Sequence, residues 1–135
     1  MKETVLYYYP EATEEVRLAK TVCAILGVRI RKIEKEQLGE KVGGLAGIME
    51  KTEEVEQEAP LVDIGDSIMV FCGFSEKRLD MLLMRLSKAG VSRKGYKAIL
   101  TPSNAAWSFQ ALYEELKKER EAILAQKKTD LSKEK

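Results

Sequence analysis

The chain contains no histidine. That absence excludes histidine-ligated metal sites, Ser-His and Cys-His catalytic pairs, and imidazole switching near neutral pH. Cysteine is scarce: Cys23 and Cys72 are the only two, far apart and without CxxC spacing. Unpaired thiols of this kind point to a reducing compartment rather than a secreted disulfide framework. There is no excess of either charge, since 23 basic residues face 22 acidic ones for a net of +1. The composition therefore gives no argument for nucleic acid or an anionic membrane as partner. No stretch approaches the roughly 18 consecutive apolar residues of a membrane span. Met1-Lys2-Glu3-Thr4 does not lead into a long apolar run, so no signal peptide is read and a cytoplasmic location is expected. An Asp-x-Asp-x-Asp-Gly loop, a GxGxxG and a GxxxxGK[ST] are all missing, which leaves no expected metal or other cofactor.

What is present is globular: 44% apolar and 33% charged residues in a chain of 135, the size of one domain. That domain is expected over residues 1–125, with a polar tail over 126–135 that frays. The neutral balance hides two opposite segments. Residues 50–66 hold seven acids against Lys51, and 76–97 hold seven bases against Glu76 and Asp80. The first reads as an acidic connector, the second as a basic helix face with its following loop.

Thr4 to Tyr9 is β-branched and aromatic and stops at Pro10, the pattern of a strand. In its tyrosine run, two rings are expected in the core and one at the strand mouth. From Thr13, a candidate N-cap, Val16, Ala19, Val22, Cys23 and Leu26 recur at helical spacing up to Gly27. Val28 to Ile33 alternates with basic residues, as an edge strand does. Ile68 to Cys72 is apolar throughout, as in a strand buried on both faces. Ser75 then caps a helix striped by Leu79, Leu82, Leu83 and Leu86 and ended by Gly90, with Phe74 as staple. Tyr96 to Leu100 is a fourth strand. Ser108 caps a last helix carrying Phe109, Leu112, Tyr113 and Leu116 on one face, with Trp107 as its staple.

The expected fold is α/β: a small single domain with a mainly parallel four-stranded sheet, βαβ crossovers, order 2-1-3-4 and helices on both faces. Its second helix, near the glycine-rich residues 38–49, is the least defined element. In a parallel sheet ligands bind beyond the carboxyl ends of the strands. Tyr9-Pro10, Cys72 to Ser75 and Thr101 to Asn104 would then share one edge of the domain.

Cys72 is the sharpest candidate for chemistry, because a strand-end thiol before a helix start can gain thiolate character from the dipole. The chain supplies no histidine to activate it. Ser75, Thr101, Ser103, Asn104 and Trp107 are the candidate ligand-binding residues, and Ser108 shares their helix-start position. All have structural uses as caps and turns. Gly43-Gly44-x-x-Gly47 resembles a phosphate loop only loosely and is better read as a tight turn or close packing.

The strand running into Phe71-Cys72-Gly73-Phe74-Ser75, the leucine-striped helix and the string Thr101-Pro102-x-Asn104-x-x-Trp107-Ser108 together resemble a small bacterial family known only as a domain of unknown function. Val42 to Ile48 is similar to that family's glycine motif. The resemblance implies one module containing both segments and implies no activity, cofactor or catalytic residue. The expected function is therefore a non-catalytic cytoplasmic domain binding a protein partner or a small regulatory ligand. The alternative is an enzyme using Cys72. Self-association through the edge strand 28–33 or the last helix is a third expectation.

Overall fold

The computed structural model describes residues 2–48, 63–92 and 94–133, with the backbone alone for 128–133. In chain order it holds β1 (Thr4–Tyr8), α1 (Glu14–Leu26), β2 (Arg29–Lys32), a 3-10 turn (Lys35–Gln37) and α2 (Val42–Leu45). Next come β3 (Ile68–Cys72), α3 (Glu76–Ala89), β4 (Tyr96–Ile99), a second 3-10 turn (Asn104–Ala106) and α4 (Phe109–Lys133). Most of the acidic connector lies outside the described residues; of it only Asp63 to Asp66 are described.

The four strands form one sheet in the order β2-β1-β3-β4, as the sequence leads one to expect. The sheet is mixed, however, not mainly parallel. β1 pairs with β2 in parallel and β3 with β4 in parallel, but the central pair β1 and β3 is antiparallel, with Leu6 opposite Val70. The difference lies in what the connections contain. Each parallel pair is joined by a long helix, α1 of 13 residues and α3 of 14, which carries the chain back along the strands. Between β2 and β3 the described helical pieces have three and four residues. At ~1.5 Å per residue α2 spans ~6 Å, while a five-residue strand spans ~17 Å. The chain re-enters the sheet at the edge where β2 leaves it, Ile68 lying opposite Tyr8 and Lys32 opposite Tyr7.

The consequence for the strand ends is direct. Tyr8 lies opposite Ile68 and Thr4 opposite Cys72. Tyr9-Pro10 therefore sits on the opposite edge from Cys72 to Ser75, and the expectation that three strand ends share one edge is corrected to two: those of β3 and β4.

Each strand face carries its own core. Val5, Tyr7, Met69 and Phe71 point to α1 and α3, where they meet Val16, Ala19, Cys23, Leu82 and Leu86. Leu6, Tyr8, Val70 and Cys72 point to the other face, where Val42, Leu45, Phe109, Leu112 and Tyr113 cover them. All three tyrosines of the run are buried, Tyr7 and Tyr9 on one face and Tyr8 on the other. None stands free at the strand mouth, because α1 and the turn before β3 close both sides; the Tyr8 hydroxyl donates to the Ile64 carbonyl at 3.1 Å.

The two βαβ halves are related by an approximate two-fold axis through the Leu6–Val70 pair. Leu6 and Val70 face one core, and Val5, Tyr7, Met69 and Phe71 the other, as that axis requires. α1 and α3 end alike. Gly27 (φ 71°) and Gly90 (φ 99°) adopt the left-handed conformation, and the next residues, Val28 and Val91, donate back to Cys23 and Leu86 carbonyls at 2.8 and 3.0 Å. These are Schellman closures, which side chains with a Cβ resist. Two ties link the helices end to end. Arg78 in the first turn of α3 donates to the Leu26 carbonyl at 2.9 Å and pairs with Glu3. Glu15 in the first turn of α1 accepts from the Ser92 amide at 2.6 Å. On the other face the residues before α2 and α4 form an antiparallel bridge, Lys41 with Ser108.

Leu82 is fully buried between α3 and the sheet. Leu82→Ala is expected to lower unfolding free energy by about 2–5 kcal/mol in urea titration, through lost transfer and a residual cavity. Ile25→Ala, at a position 73% exposed on α1, is expected to change it by less than about 0.5 kcal/mol.

Candidate functional site

β4 is the last strand of the sheet, and α3 and α4 flank it on opposite faces. Between the two helices runs a groove of about 500 Å³. Its floor is Phe71, Ala98 and Ile99; α3 contributes Leu79 and Leu83, and α4 contributes Leu112 and Leu116. Thr101, Asn104 and Trp107 close one end, while Lys97, Glu115 and Glu119 supply the charges at the rim. Ile99 is 56% exposed and Trp107, the chain's one tryptophan, 39%. A second hollow of about 630 Å³ adjoins it along α3, sharing Leu83 and Lys97 and adding Met84, Lys88 and Val91. Contiguous exposed apolar surface of this kind marks a binding face more often than an ordinary solvated one.

Local sequence explains how the closed end is built. Thr101 and Asn104 bond reciprocally: the Thr101 amide donates to Asn104 Oδ1 at 2.8 Å, and the Asn104 amide to Thr101 Oγ1 at 3.1 Å. This pins the turn after β4 and projects Trp107 beside the groove. Asn104 Nδ2 also donates to the Ile99 carbonyl at 2.9 Å. The amides of Tyr96 and Leu100 point to β3, so the peptide groups of the alternate residues point away from the sheet. Asn104 thus covers an outward carbonyl of the end strand. Arg120 covers the other end of that strand. It stacks on Tyr96 with its guanidinium 3.7 Å from the ring centre and donates to the Lys94 and Gly95 carbonyls at 2.8 and 3.3 Å. Such covering discourages strand-to-strand pairing along the edge.

Of the sequence candidates, Thr101, Asn104 and Trp107 come together at the groove, with Asn104 only 7% exposed and its amide group engaged in the turn. Ser75 and Ser103 are exposed outside the groove lining; Ser75 Oγ accepts from the Arg78 amide at 3.3 Å as an N-cap. Ser108 likewise accepts from Ala111 at 3.0 Å. Thr13 stands at the N-cap position of α1 without a side-chain cap bond. Gly47, at φ 81°, turns the chain after α2. Of the basic segment, Arg78 is engaged with Glu3, Lys88 and Lys97 line the hollows, and Arg93 lies outside the described residues.

Cys72 points into the core against α4 and has no exposed surface. Burial pushes its thiol from 9.0 up to about 11, and does the same to Cys23. A thiolate at neutral pH needs the reverse, a nearby positive charge or helix start that lowers the value. Among the described residues no group of three or more cysteine, aspartate or glutamate side chains converges as a metal site, and no helix is long and apolar enough to cross a membrane.

Sequence reading missed Leu83, Ile99, Leu116 and the Glu115–Glu119 rim. Leu79 and Leu83 belong to the same leucine stripe as Leu82 and Leu86, yet only the latter two are buried. The available signal was the width of that stripe, broader than one sheet face covers.

The thiols generate a pH prediction. A folded-state value raised above the unfolded one means the folded protein holds protons that the unfolded chain has lost, so stability falls as pH rises. The fall is expected between about pH 9 and 11, read as a declining urea midpoint. The Cys23→Ala, Cys72→Ala double variant should show a shallower decline, and a matching slope would refute the assignment. For the turn, Asn104→Ala is expected to cost about 1–3 kcal/mol, since it removes two part-buried hydrogen bonds, to the Thr101 amide and the Ile99 carbonyl, at about 0.5–1.5 kcal/mol each. A cost under about 0.5 kcal/mol in the same titration would show the turn to be held otherwise.

The chain matches no curated protein and no solved structure. A family match begins just before β3 and ends within α4, so Val42 to Ile48 falls outside the matched residues. Residues 67–123 match the model of the family described as Domain of unknown function (DUF3783), so the half of the fold that builds the groove carries the signature of an uncharacterised domain family.

Proposed function

We propose that this is a non-catalytic docking domain whose groove beside β4 receives an apolar segment of a protein partner. The observation that carries this reading is the coincidence of Ile99 and Trp107, large and exposed, with a groove walled by leucines from two helices. Large apolar side chains presented in a concave, rigidly held surface supply binding energy by burial, at roughly 25 cal/mol per Å². The rim charges of Lys97, Glu115 and Glu119 add orientation rather than affinity. The buried Cys72, with its raised thiol, weighs against the cysteine-enzyme alternative. The polar side chains at the closed end, Thr101 and Asn104, bond to each other and to the strand, which favours an apolar occupant over a small polar ligand.

A photo-crosslinking amino acid at Ile99, introduced in the cell of origin, tests this. The expected outcome is a discrete protein adduct from position 99 and none from Ile25, which is exposed on α1. Absence of any adduct at 99, or equal labelling at both positions, overturns the reading.

A further inference from the structure

We infer that the occupant of the groove is the C-terminal half of α4 from a second copy of this chain, the two α4 helices lying antiparallel about a two-fold axis. The inference rests on the docking reading and names its partner. It starts from a mismatch of length. Phe109, Leu112, Tyr113 and Leu116 form a stripe on α4 that packs on the sheet. Ile123 and Leu124 continue that stripe at helical spacing, yet they are 57% and 53% exposed, because the helix runs on past Arg120, which already sits over the start of β4. The stripe is one surface with only its first half covered.

The uncovered half and the groove lie on the same flank of one helix. Leu112, Glu115, Leu116 and Glu119 line the groove, and Ile123 follows Glu119 at i+4, on the same side. An antiparallel pair of such helices is self-complementary, as a two-fold interface requires: what one copy offers the other receives. Setting Leu116 against Ile123 of the second copy brings Lys127 within a turn of Glu115, and sets Arg120, held on Tyr96 of its own copy, level with Glu119. Opposite charges thus flank the apolar contact twice. The overlap from Leu112 to Lys127 extends about 22 Å at 1.5 Å per residue. A helix suits the groove better than a strand, since Asn104 and Arg120 already cover the ends of the β4 edge. The opposite edge, β2, presents exposed Arg29, Arg31 and Lys32, which oppose pairing there.

Light scattering on the full chain during size exclusion, across the micromolar range, provides the test. The expected mass is twice 15.2 kDa. Leu124→Glu and Ile99→Glu, each at an exposed position, should give monomers with the circular dichroism spectrum unchanged. Glu115→Lys and Lys127→Glu should each weaken the dimer at least several-fold, and the double exchange should restore it. A monomer at every concentration, or a dimer indifferent to Leu124→Glu, overturns the inference. The crosslink at Ile99 separates the two failures. An adduct with a different protein overturns the second copy while preserving the docking reading, and no adduct removes both.

Discussion

The antiparallel pairing of β1 with β3 is the constraint on which the rest of the molecule depends. It joins two βαβ halves head to tail at the centre of the sheet, with both strands buried along their whole length. Once that pair is fixed, the parallel partners β2 and β4 fall to the two edges. α1 and α3 fall together on one face, and α2 and α4 on the other. The apolar runs of β1 and β3 are what make the arrangement stable, because only central strands can bury both faces.

The same pairing decides where a binding surface can form. The halves are alike through their second strands and then diverge. After β2 the chain makes a four-residue helix; after β4 it makes one of 25 residues. The long helix lies back along β4 and, with α3, walls a groove that its counterpart α2 is too short to build. A near-symmetric scaffold thereby carries one asymmetric feature, and that feature is where the exposed isoleucine and tryptophan sit. The reciprocal Arg78 and Glu15 ties hold α1 and α3 in place on the opposite face, so the α3 wall is rigidly backed.

Polar residues that look functional in a sequence turn out to be builders of this surface. Asn104 covers a strand carbonyl and pins the turn that presents Trp107. Ser75 and Ser108 satisfy helix amides. Cys72, at a strand end next to a helix start, points instead into the core. A strand's alternation sends successive side chains to opposite faces, both of them covered here, and Cys72 joins Ile68 and Val70 in the core under α4.

The elements are written locally: β-branched and aromatic runs bounded by proline and glycine made the strands, leucine stripes between serine caps and glycine stops made α3 and the start of α4, and the apolar run of β3 against the basic β2 separated a central strand from an edge one. These signals are local, set by side-chain periodicity and backbone conformation within a few residues. Long-range packing set the direction of β3 against β1, because that depends on whether a connection tens of residues long recrosses the sheet. It also decided which leucines of α3 were buried and which walled a groove. Burial there is a property of the gap between two helices on either side of an end strand, and no single segment records the width of that gap.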